Sequence, residues 1–219
     1  MRCPPRTPTV PTPRGAPVSL RFGITFDYLC PFARNANEHV VTALRGGADW
    51  DVDFVPYSLS QGHVEEGQPD VWDHDDPEAA SGILALEVGL YVRDRHPESF
   101  LDAHEALFAA RHDDGGDLKD PVVVAGALRK VGLDADAVLA GARGGAYREQ
   151  LRKEHDAGVA DHDVWGVPTF IAGDRAVFVR LMDRPEGDVA RATQAIEQVI
   201  DLVVNAPLLH EFKQTNLPR

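Results

Sequence analysis

Cys30 is the residue in this chain best placed to do chemistry. It stands in Asp27-Tyr28-Leu29-Cys30-Pro31-Phe32-Ala33, between a strand-forming run and a stretch with helical spacing. Pro31 suits a first helical position, where its missing N–H removes nothing, and that makes Cys30 the N-cap. First-turn amides and the helix dipole favour the thiolate there, the nucleophilic form of cysteine. A lone cysteine is more often a small buried residue; the strand-Cys-Pro-aromatic-helix context is what favours reactivity here. A second stretch, Gly166-Val167-Pro168-Thr169-Phe170, opens a strand with a proline, where no ladder donor is lost. If the Val167-Pro168 bond is cis, Val167 presents its backbone N–H and C=O to a neighbouring loop. A thiol partner or an extended substrate could then pair with it.

The neighbouring side chains admit two readings each. Asp27, three residues before Cys30, is a candidate proton relay or an exposed loop residue. Tyr28 and Phe32 either wall the site or belong to the core. Trp165 either lines a groove beside the proline loop or is core. The nine histidines include His155 and His162, and His104 and His112, at helix-compatible spacings. No converging third ligand follows from the sequence, so a polar surface is the better reading and no metal is expected. Asp73-His74-Asp75-Asp76 reads as an acidic loop capping a helix that starts at Pro77. Gly89 and Gly126 interrupt helical patterns and could permit close helix contacts.

The whole chain sets limits on this chemistry. Two cysteines in 219 residues exclude a disulfide-stapled scaffold and a thiolate-built zinc site. A formal charge of −13 argues against nucleic acid and anionic membranes as partners. No apolar run is long enough for a membrane helix. Residues 1–17 hold six prolines and no acid, and lack the apolar core of a secretory signal. They read as a disordered leader carrying Cys3, and a cytoplasmic location is the default expectation. Arginine far outnumbers lysine, as GC-rich genomes encode.

Alternation predicts a strand over residues 18–26, then a helix over residues 31–44 closed by Gly46-Gly47, then a strand over residues 51–57. Strand, helix, strand implies a parallel pair. Residues 77–161 read as helical: 77–94, 97–111, a helix capped by Asp120-Pro121 and stopped by Gly132, 136–142, and 146–157. Strand character returns over residues 166–172, turns at Gly173-Asp174, and pairs back over 176–179. A last amphipathic helix is expected over residues 185–205.

Taken together, Cys30-Pro31-Phe32-Ala33 and Gly166-Val167-Pro168-Thr169-Phe170 resemble the DsbA-like branch of the thioredoxin superfamily, over residues 18–205. Val55-Pro56-Tyr57-Ser58-Leu59 is similar to the strand end of its cytoplasmic members. These include FrnE-like proteins, kappa-class glutathione transferases, 2-hydroxychromene-2-carboxylate isomerases and mycothiol-dependent reductases. The resemblance implies an α/β thioredoxin-like fold with a large helical insertion between β-α-β and β-β-α halves. The expected layout is a leader (1–17), a discontinuous thioredoxin-like domain (18–62 and 163–205), a helical insertion (63–162) and a tail (206–219). It implies Cys30 as nucleophile, a cis Pro168, and substrate contacts from Pro31, Phe32, Val167, Pro168 and Thr169. The redox members carry Cys-x-x-Cys, whereas Ala33 stands at the fourth position here. The implied activity is therefore monothiol thiol–disulfide exchange, with a second molecule resolving Cys30. No bound cofactor is expected, and mycothiol or glutathione are the candidate co-substrates. Partners would be small-molecule or protein thiols and disulfides, and a homodimer is a candidate assembly because relatives are often dimers. The alternatives are a thiol-cofactor-dependent transferase or isomerase of the kappa type, where serine replaces the cysteine, and a redox-inactive binding module.

Overall fold

Strand β1 (Leu20–Phe26) alternates, and its Phe22, Ile24 and Phe26 are buried. The computed structural model describes residues 20–73 and 82–211. The leader with Cys3, the first two residues expected in β1, the acidic residues after Asp73, the Pro77 helix start and the end of the tail lie outside the described residues. From β1 the chain continues as α1 (Pro31–Arg45), β2 (Trp50–Pro56), a short α2 (Leu59–Gly62), α3 (Ile83–Arg95) and α4 (Phe100–His112). Next come α5 (Pro121–Lys130), α6 (Ala135–Ala142), α7 (Ala146–His162), β3 (Thr169–Ala172), β4 (Arg175–Phe178) and α8 (Val189–Asn205).

The strands form one sheet in the order β2-β1-β3-β4. β1 and β2 are parallel, with Leu20 opposite Trp50 and Phe26 opposite Pro56. β3 runs antiparallel to β1 on its other side, and β4 returns antiparallel to β3. Gly173 supplies the turn between them at a left-handed φ of 63°. This is the mixed α/β, thioredoxin-like arrangement, with the helices α2 to α7 entered between its two halves. Helix α1 packs on α8, and both pack on the sheet. Phe26 and Phe54 meet Phe100, Phe108 and Tyr28 around the ring of His104. Sheet and inserted helices thus share one apolar core. Among the described residues, no helix is long and apolar enough to cross a membrane.

Several boundaries differ from the sequence expectation, each for a local reason. β3 begins at Thr169, because Thr169 N–H turns to the Thr25 hydroxyl, 2.8 Å away, at the end of the proline loop. α7 runs through Gly158 to His162; it ends where Asp163 takes a left-handed φ of 50° and Val164 N–H closes on the Gly158 carbonyl. α8 starts at Val189, since Glu186 and Gly187 have positive φ and Asp188 caps the first turn by accepting from Arg191 N–H. A 3-10 turn over Pro97–Ser99 precedes α4. The four-residue α2, capped by Ser58, has no periodicity by which the sequence could reveal it.

Candidate active site

Cys30 is the N-cap of α1, with Pro31 at its first position. Its backbone is extended, and Cys30 N–H donates to the Asp27 carbonyl at 3.0 Å. The Ala33 amide donates to Cys30 Sγ at 3.4 Å, and the thiol in turn donates to the Val167 carbonyl at 3.4 Å. Val167-Pro168 is a cis peptide. The two motifs, more than a hundred residues apart, therefore meet at one sulfur. Burial pushes the Cys30 thiol above its ordinary pKa. The Ala33 and Phe32 amides oppose this rise, the charge of Asp27 adds to it, and the charge of Arg180 opposes it. The lowered pKa expected from the capping position is thus corrected. Cys30 is 8% exposed, and loss of water outweighs the first-turn amides.

Asp27 is fully buried, which excludes the exposed-loop reading. One carboxylate oxygen accepts from Leu29 N–H at 2.9 Å and the other from Leu59 N–H at 2.8 Å. It thereby ties the turn before Cys30 to the start of α2. Burial raises its pKa to about 6, against those two amides. The Pro56-Tyr57-Ser58-Leu59 segment is held beneath it: Tyr57 N–H donates to the Phe26 carbonyl at 2.9 Å, and Ser58 N–H donates to His155 Nδ1 at 3.2 Å. The Leu59 amide is a site element that side-chain chemistry could not reveal.

The remaining site candidates divide by position. Pro168 is buried, and its carbonyl accepts from Val179 N–H at 3.1 Å, which fixes the loop to the end of β4. Thr169 is buried, and its hydroxyl donates to the Gly166 carbonyl at 2.8 Å, so it shapes the loop. Pro31 is exposed and Phe32 half-buried at the surface beside Cys30. Tyr28 is core, fully buried, donating to His104 Nδ1 at 3.0 Å. Trp165 is not core: it is 70% exposed and lies on Phe178, ring centroids 4.6 Å apart.

Arg180 was not legible as a site residue. The hairpin brings it there, because the pairing of Val179 with Pro168 sets the next residue against the proline loop. Its guanidinium lies 5.2 Å from the Phe32 ring and 6.0 Å from the Phe178 ring.

His104 and His155 serve the core. His104 is fully buried, accepts from Tyr28 and donates through Nε2 to Asn37 Oδ1 at 3.0 Å. His155 lies against Tyr57 and Trp72. Among the described residues no three or more His, Cys, Asp or Glu come together as a metal site would need. A polar cleft of about 900 Å³ opens between α7 and the sheet, lined by Gly23, Asp53, Arg93, Glu154 and His162; it contains no residue of the Cys30 site.

Known structures share this architecture. A DsbA from Pseudomonas aeruginosa is 22% identical, covers 90% of this chain with 92% of its own, and superposes with a TM-score of 0.50. Oxidised BdbD from Bacillus subtilis is 17% identical over 81% of this chain and 85% of its own, with a TM-score of 0.55. A 2-hydroxychromene-2-carboxylate isomerase is 17% identical over 87% of this chain and 100% of its own, with a TM-score of 0.57. At such identities the likeness is one of fold. No curated protein matches the chain as a relative. The family described as "DSBA-like thioredoxin domain" matches residues 24–186, well over half of the sequence, and the chain belongs to that family.

Proposed function

We propose that the protein is a monothiol thiol–disulfide exchange enzyme, with Cys30 as nucleophile and a low-molecular-weight thiol as second reactant. The observation that carries this reading is the placement of Cys30 Sγ between the first-turn amide of Ala33 and the Val167 carbonyl of the proline loop. Ala33 stands where a resolving cysteine would, so the second thiol must come from another molecule. Cys30, deprotonated, attacks one sulfur of a disulfide joining a partner to a small thiol. The new S–S bond forms as the old one breaks, and the departing thiolate takes up a proton. A second small thiol, as thiolate, then attacks the mixed disulfide, releasing Cys30 and a small-molecule disulfide. Mycothiol and glutathione fit this role as co-substrates. Asp27, buried with a pKa of about 6, is the candidate acceptor and donor of the thiol proton.

One observation favours a second reading. The thiol is held protonated, its pKa raised mainly by burial, and it donates to a carbonyl. A group in that state could hydrogen-bond the thiolate of a bound cofactor, as a kappa-type transferase or isomerase requires. Intact mass after exposure to glutathione disulfide and, separately, to mycothiol disulfide separates the two, using a Cys3→Ser background so that only Cys30 can react. Exchange gives an adduct on Cys30 that a second thiol removes. Absence of any adduct rejects the exchange enzyme and leaves the transferase or binding module.

A further inference from the structure

We infer that Arg180, with the rings of Phe32 and Phe178, forms a carboxylate-binding shelf beside Cys30, so that the preferred small thiols and disulfides carry a carboxylate near their sulfur. This rests on the exchange reading and narrows the substrate class for the same site: of the two co-substrates named above, glutathione carries carboxylates and mycothiol carries none.

The charge pattern of the molecule makes Arg180 unusual. With 35 acidic against 22 basic residues, most guanidinium groups can find a carboxylate. Arg34 and Arg184 hold Glu38 and Asp113, Arg93 holds Glu154, and Arg148 holds Glu87. Among the described residues Arg180 has no such partner, and its guanidinium lies over two aromatic rings. A guanidinium over a ring keeps its planar edge of N–H donors, which match a carboxylate in a two-point geometry. The rings hold it in one orientation and contribute a modest attraction of their own.

Position supplies the second part of the argument. Phe32 follows Cys30 by two residues at the surface turn of α1, and Val179 is bonded to Pro168. Arg180 therefore spans from the proline loop to the cysteine loop across the mouth of the site. Trp165, exposed and lying on Phe178, extends the flat wall. A substrate whose sulfur meets Cys30 would have its carboxylate drawn to Arg180. On a surface of net charge −13, no general field would attract an anion, so this local charge decides selectivity.

The test uses two alkylating agents of the same chemistry and different charge, iodoacetate and iodoacetamide. In each, the Cys30 thiolate forms an S–C bond as C–I breaks and iodide leaves. Rates are read at Cys30 by mass in the Cys3→Ser background, for the parent and for Arg180→Gln and Arg180→Lys. The ratio of iodoacetate to iodoacetamide rates cancels any change in thiol reactivity. Arg180→Gln is expected to lower that ratio about tenfold, and Arg180→Lys to restore part of it. An unchanged ratio, or equal loss of both rates, overturns the shelf. Alkylation needs no disulfide turnover, so failure of both small-thiol disulfides to form an adduct would reject the exchange reading while this ratio still decides the shelf.

Discussion

Cys30 and Asp27 show how one residue's chemistry depends on what surrounds it. The N-capping position of Cys30 was legible, because strand, cysteine, proline and helix follow one another in sequence. Its burial was not, because the water is displaced by the Val167-Pro168 loop, which arrives from far along the chain. Asp27 is a like case: its side chain is covered only when Leu59 comes to bond it. The two groups interact, since a charged Asp27 makes the Cys30 thiol harder to ionise. Asp27 is ionised above its pKa of about 6 and neutral below it. The pH profile of Cys30 alkylation by iodoacetamide should therefore rise less steeply above about pH 6 than simple titration gives. Asp27→Asn removes that charge; about threefold faster alkylation is expected near pH 8, and little change near pH 5. If Asp27 also carries the proton in turnover, the same variant exchanges disulfides more slowly although its thiol alkylates faster. Equal alkylation rates at both pH values would show that Asp27 has no electrostatic hold on the thiol.

Two glycines that looked alike in the sequence separate at the level of the helices. In α3, a Cβ at Gly89 would come within 2.5 Å of the Tyr28 hydroxyl. Tyr28 cannot yield, being fully buried and bonded to His104. In α5, a Cβ at Gly126 meets nothing within 4 Å. Gly89→Ala should thus destabilise by about 1–3 kcal/mol through overpacking, despite the better helix former. Gly126→Ala should stabilise by about 0.5–1 kcal/mol from helix propensity alone. Denaturant midpoints of the two variants test this, and loss of stability in both would refute the distinction. The contrast shows what the sequence carries at this scale. Periodicity and caps such as Asp120 place the helices, because those signals are local. Which helix face meets which neighbour is decided by residues distant in sequence, so Gly89 and Gly126 read the same. For the same reason the sheet pairing of β1 with β2 was legible, while Arg180 became a site residue only through the hairpin's register with Pro168.

The whole molecule couples this packing to pH through its buried titrating groups, and they pull in opposite directions. His104 has its pKa lowered to about 3 by burial, and burial also lowers His39, His112 and His155. A histidine whose folded pKa is depressed leaves the unfolded chain binding more protons, so stability is lost as pH falls below the unfolded value of 6.5. For His104 that loss could reach about 5 kcal/mol by pH 3. Asp27 acts the other way: its folded pKa is raised from 3.8 to about 6, so stability is regained as pH falls through that interval, by up to about 3 kcal/mol. Relief of self-repulsion as the charge of −13 is titrated also favours the folded state in acid. At about 0.15 M salt, however, that term is screened beyond ~8 Å. The four histidines outnumber the two carboxyls that burial raises, Asp27 and Glu105, so the unfolding midpoint in urea at that salt should be lower near pH 5 than near pH 7.5. Asp27→Asn should enlarge the difference by removing one of the opposing groups. His104→Gln, which can still accept from Tyr28 and donate to Asn37, should lower the midpoint at neutral pH yet shrink the difference. A wild-type midpoint that is equal or higher near pH 5 would mean that charge relief, and not the buried imidazoles, governs the acid limb.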